Sequence, residues 1–92
     1  MGIVSDLTIE WIEEKVAIGT CERTGLPFSN NLDLTASKDP FAPSLDRINP
    51  GKGYTQDNVQ VVCTVYMLAK SDWGDEPVVK MAVALLSASS YR

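Results

Sequence analysis

The sequence predicts a small α+β domain: a two-stranded hairpin and the helix that follows it at the centre, with one helix before this unit and one after it. Three observations lead there. A short strand-like run at 44–48 and a β-branched run at 59–62 flank the turn signal Asn49-Pro50-Gly51-Lys52-Gly53. Helical spacing takes over immediately, across 64–71, with Val65, Leu68 and Ala69 apolar. The 92 residues, 45% apolar and 22% charged, suit one domain with a single modest core, since chains of this size bury only about 60–65% of their unfolded surface.

Taken in order, Thr8 can cap a first helix whose opening turn carries Glu10, the sign a helix N-terminus favours. Ile9, Ile12 and Val16 recur on one face, Trp11 and Ile18 widen the stripe, and Gly19 is a stop signal. Glu10, Glu13 and Glu14 must then face solvent, either as a plain solvated face or as an acidic binding surface. Residues 21–25 form a tight turn into Leu26-Pro27-Phe28, Ser29-Asn30-Asn31 is a second turn signal, and 32–43 reads as a loop anchored by Phe41. After the central unit, Trp73-Gly74 ends its helix. Asp75 can cap a last helix with Pro77 in the first turn and a buried stripe of Val78, Met81, Ala82 and Leu85. Met67, Met81, Trp11 and Trp73 are core candidates.

Twelve acids against eight bases leave a net charge of −4, opposite to the basic footprint of a domain that grips phosphates. Two cysteines 42 positions apart are too few for a disulfide framework and fit free thiols in a reducing cytosol. No apolar run approaches the roughly 18 residues of a membrane span, no signal-like segment is evident, and Asp6 breaks the myristoylation pattern. A cytoplasmic protein without membrane contact is expected.

The residues Cys21-x-x-Thr24-Gly25, Asp46-Arg47-Ile48, Gly53-Tyr54-Thr55-x-x-Asn58, Cys63 and Met67-x-x-Lys70 together resemble the HNH, or ββα-metal, endonuclease family, and its small phage-type members most. The match spans 21–73 and leaves out both outer helices. It implies a ββα-metal core and four functional positions. Asp46 matches the carboxylate that ligates a divalent ion, and Asn58 matches the Asn that fixes the loop over the base. Arg47 stands where the family has its general-base His. Met67, three residues before Lys70, stands where a His or Asn supplies the second ligand.

Two of these four are wrong in kind for hydrolysis. Guanidinium keeps its proton at physiological pH and offers no acceptor. Thioether sulfur is a poor ligand for Mg²⁺ or Mn²⁺. The chain contains no His, and loss of a general base alone removes about 10²- to 10⁴-fold in rate. The resemblance also places a structural zinc site at two Cys pairs, of which only Cys21 and Cys63 remain while Thr24 and Tyr66 fill the second places. Two thiolates do not close a tetrahedral site, so the pair is expected in the core as adjacent thiols.

The leading expectation is a catalytically degenerate HNH-like module that acts by binding another macromolecule, such as a phage-encoded inhibitor or accessory protein of anti-CRISPR or anti-restriction type. No cofactor is then expected. Its partner would be a protein, a host nucleic-acid-binding enzyme for instance, met through Glu10, Glu13 and Glu14 by charge complementarity. The alternative is a metal-dependent DNA endonuclease or nickase using Asp46 with Mg²⁺ or Mn²⁺ and an unusual base such as Asp57. A third reading is a DNA binder using Arg47, Lys52 and Lys70. Each residue also has a structural role open to it: Asp46 can pair with Lys70, Arg47 with Asp46 or Asp57, Asn58 with the 49–53 backbone, and Tyr54 with the core or an exposed contact.

Overall fold

The computed structural model describes residues 5–29 and 39–88. Chain order is α1 (Ile9–Ile18), β1 (Pro43–Arg47), β2 (Val59–Cys63), α2 (Thr64–Lys70) and α3 (Asp75–Ala88). Among the described residues this is a small α+β fold of three helices and one antiparallel two-stranded sheet.

Local chemistry sets most boundaries. The Thr8 hydroxyl accepts the Trp11 N–H at 3.1 Å, which starts α1. Gly19 ends it at φ 87°, a left-handed conformation that costs glycine little, and its N–H returns to the Val16 carbonyl at 3.0 Å. β1 and β2 pair with Asp46 opposite Gln60 and Leu45 opposite Val61. The observed strands lie one residue from their expected limits, with β1 ending at Arg47 and β2 running on to Cys63. α2 follows β2 without a linker.

The core sits where α2 meets the sheet and the 20–28 segment: Cys21, Val62, Cys63 and Tyr66, flanked by Phe28, Met67 and Val78. Thr20 bridges Pro27, closing the expected tight turn, and Gly25 N–H bonds the Cys21 carbonyl at 2.8 Å. That turn is fastened to β2 at Val61. Glu22 N–H donates to the Val61 carbonyl at 3.0 Å, and the Glu22 carboxylate accepts the Val61 N–H at 2.6 Å. Backbone groups of an edge strand are thereby satisfied.

Several packing expectations are corrected. α1, which packs against β2, has no buried residue, and Ile9 and Ile18 are largely exposed. In α3 only Val78 reaches the core; Met81 and Leu85 stand in solvent. Trp73 is 74% exposed and is no core residue, and Phe41 is held by its backbone rather than buried: its carbonyl accepts Ser29 N–H at 3.0 Å. Asp75 is the first residue of α3 rather than its cap. The Asn30-Asn31 turn and the 32–38 loop lie outside the described residues. No helix among the described residues is long and apolar enough to cross a membrane.

Candidate functional site

A cleft of about 190 Å³ opens between β1, the 49–58 loop and the end of α2, and Asp46, Arg47, Tyr54, Met67, Ser71 and Asp72 line it. β1 carries Asp46 and Arg47 as consecutive residues, so their side chains leave opposite faces of the strand. The two therefore have different fates.

Asp46 points inward and is 5% exposed. Its Oδ2 accepts from Lys70 Nζ at 2.7 Å and from Gln60 Nε2 at 2.9 Å. Lys70, 1% exposed, also donates to the carbonyls of Arg47 and Ile48, the latter at 3.1 Å. Three oxygens thus converge on one ammonium, an arrangement that spends all three lysine donors inside the protein. The role of Lys70 as a phosphate contact is corrected accordingly, since its charge is sealed from solvent.

Arg47 turns outward. Its guanidinium lies 5.1 Å from the centre of the Tyr54 ring, donates to the Lys52 carbonyl at 3.3 Å and stands 3.8 Å from the Asp72 carboxylate. The expected partners Asp46 and Asp57 are both otherwise engaged, Asp46 by Lys70 and Asp57 by the Thr55 hydroxyl at 2.5 Å. Tyr54 is part-exposed beneath the guanidinium rather than packed in the core.

Asn58 holds the loop that carries Tyr54. It is buried, its Oδ1 accepts Asn49 N–H at 3.0 Å, and its Nδ2 donates to the carbonyls of Asn49 at 3.2 Å and Gly53 at 2.8 Å. The Asn49 side chain in turn accepts Gly51 N–H at 2.9 Å. Lys52 sits exposed on this loop, while Glu10, Glu13 and Glu14 are exposed on α1 and take no part in the cleft.

Sequence reasoning misses three participants. Ser71 caps α2 at φ 46°, ψ −130°, and is the single non-glycine residue with positive φ among those described. Strained backbone of this kind gathers at functional sites, and nothing in Lys70-Ser71-Asp72 announces it. Asp72 faces Arg47 only because the end of α2 is brought beside β1. Gln60 could have been found by register, as the residue directly opposite Asp46.

A divalent ion does not fit this donor set. Asp46 is neutralised by an internal cation, Met67 offers soft sulfur, and no group of three His, Cys, Asp or Glu side chains converges among the described residues. Cys21 and Cys63 are free, buried and both part of the core cluster. Burial pushes both thiols up. At Cys21 the Thr24 hydroxyl and the backbone N–H groups of Cys63, Thr24 and Arg23 outweigh that effect and bring it below its ordinary value, whereas Cys63 stays raised. The Tyr66 hydroxyl donates to Asp75, which Arg23 grips at 2.9 and 2.8 Å. Hydrogen bonds thus tie the 21–25 turn, α2 and α3 together around the thiol pair.

No family model matches this chain, and no curated protein or solved structure matches it.

Proposed function

We propose that the chain is a catalytically degenerate HNH-like module, with a hairpin-and-helix core of ββα-metal design, that works by binding another macromolecule. An inhibitor or accessory protein of the anti-CRISPR or anti-restriction kind, phage-encoded and acting on a host nucleic-acid enzyme in the cytoplasm, fits this description. The observation that carries the reading is the buried Lys70–Asp46 ion pair at 2.7 Å. An ammonium group occupies the carboxylate that hydrolysis would need for a metal ion, and Arg47 beside it cannot accept a proton.

Binding chemistry remains at two places, the cleft and α1. The cleft presents an arginine stacked on a tyrosine, residue types enriched among interface hot spots. α1 presents Glu10, Glu13 and Glu14 to solvent, an acidic surface suited to a partner's basic groove.

Supercoiled plasmid incubated with the chain and Mg²⁺ or Mn²⁺ is expected to stay intact. Nicking that disappears in Asp46→Ala would overturn the proposal in favour of a metal-dependent endonuclease. Affinity capture from the native host is expected to recover a nucleic-acid enzyme, and the Glu10→Gln/Glu13→Gln/Glu14→Gln variant to bind it more weakly. Unchanged binding by that variant removes α1 as the contact surface.

A further inference from the structure

The two edges of the hairpin differ in what they leave unpaired. Ile48 N–H donates to the Asn58 carbonyl at 2.7 Å and Thr64 N–H to the Ala42 carbonyl at 2.9 Å, both in the register that sets Leu45 opposite Val61. Bonded and non-bonded pairs alternate along an antiparallel ladder, so Ser44, Asp46 and Ile48 turn their backbone groups towards β2, while Leu45 and Arg47 turn theirs outward. The same parity sends the Val61 groups outward on β2, where Glu22 takes both, at 3.0 and 2.6 Å. That edge is closed at Val61. On β1 the Arg47 carbonyl receives Lys70, but the Leu45 N–H, the Leu45 carbonyl and the Arg47 N–H have no partner among the described residues. This open edge borders the cleft, which Leu45, Asp46 and Arg47 line from the strand side.

We propose that an extended, acidic segment of a protein partner adds to β1 as a third, antiparallel strand and takes these three groups in hydrogen bonds. This rests on the reading of the chain as a macromolecule-binding module and names the kind of segment that its cleft takes. Leu45 and Arg47 share one face of the strand, so the partner carries an apolar side chain opposite Leu45 and, two residues from it, a carboxylate opposite Arg47. Charge selects the carboxylate. The Arg47 guanidinium donates to the Lys52 carbonyl, and the Asp72 carboxylate that faces it is 87% exposed and 3.8 Å away, beyond hydrogen-bond reach, so donors remain to be filled. Asp46 is neutralised by Lys70, and Lys52 adds an exposed cation on the adjoining loop. A second copy of this chain fits the edge poorly. Two-fold registers centred on Ser44 or Leu45 oppose the edge to Pro43, which has no N–H, and those centred on Asp46 or Arg47 set like charges directly opposite.

Amide NMR spectra of the full 92-residue chain, titrated with the end-blocked peptide Thr-Glu-Thr-Val-Thr, test this. The Leu45 and Arg47 amide signals are expected to shift and their hydrogen exchange to slow, and the same peptide with Lys in place of Glu is expected to bind more weakly. Leu45→Pro removes an outward N–H without breaking a ladder bond, so cross-strand NOEs between β1 and β2 should persist while the response at Arg47 is lost. Arg47→Gln should erase the difference between the Glu and Lys peptides, and it decides alone where Leu45→Pro does not fold. No response to either peptide, or an equal response to both, overturns the proposal. A single-stranded oligonucleotide that shifts the Arg47 signals more than the Glu peptide does overturns it in favour of nucleic acid. Protection of both amides without peptide, in a species of twice 10.0 kDa, overturns it in favour of a second copy. The plasmid assay reads the non-catalytic reading separately: intact plasmid with a silent peptide removes the edge proposal alone, whereas nicking removes the reading on which it rests.

Discussion

At the residue scale, the fate of Asp46 is decided by what stands next to it. A carboxylate 5% exposed is tolerable only with a compensating charge and filled hydrogen bonds, and Lys70 and Gln60 supply both. The pair is asymmetric, however, because Lys70 also serves two backbone carbonyls. Lys70→Met should therefore cost about 3–5 kcal/mol in urea denaturation, the usual result of leaving a buried charge unpaired. Asp46→Asn should cost only about 1–3 kcal/mol, because the ammonium keeps its carbonyl partners and the amide still accepts a hydrogen bond. Equal losses would mean that Lys70 is not held by the backbone. That Lys70 can meet Asp46 is legible in the sequence as one possible pairing. That the pair is sealed from solvent is not, since its burial depends on how α2 and the sheet come together.

At the element scale, the 49–58 loop is the best-foreshadowed part of the site. Asn-Pro-Gly turn chemistry and a single Asn returning towards the strand are local signals, and the structure satisfies them with three hydrogen bonds from one side chain. Asn58→Ala should lower stability by about 2–3 kcal/mol by stranding Asn49 and Gly53 backbone groups. It should also broaden the Tyr54 and Gly53 signals in NMR spectra, because the loop loses its latch; unchanged spectra would remove Asn58 from that role. The outer helices show the opposite case. The start and stop of α1 are set by Thr8 and Gly19, which act within a turn of themselves. Their burial is not local, and spacing alone assigns α3 a buried stripe that only Val78 realises.

At the scale of the whole molecule, Asp75 joins three parts of the chain. Arg23 and then Tyr66 hold its carboxyl down to about 2, below the ordinary value near 3.9, while burial and then Asp75 push the Tyr66 hydroxyl well up. A depressed folded value means that the unfolded chain binds the proton first on acidification. The stabilisation is therefore complete above about pH 4 and lost as pH falls towards about 2. Denaturation curves across that window should steepen in the wild type and flatten in Asp75→Asn, which is also the less stable protein at neutral pH; equal slopes would show that Asp75 is not the linked group. By itself the sequence determined the element order, the two caps of α1, the hairpin loop and the absence of a proton acceptor at position 47, because each depends on residues within a few positions of one another or on identity alone. Only the tertiary structure decided that Lys70 neutralises Asp46, that Arg47 stacks on Tyr54 and faces Asp72, that Ser71 is strained and that most of α3 stands uncovered. The pairings among them join residues 7 to 25 positions apart, and which of several eligible partners meets which is settled by packing, where charge pairing and burial are won or lost together.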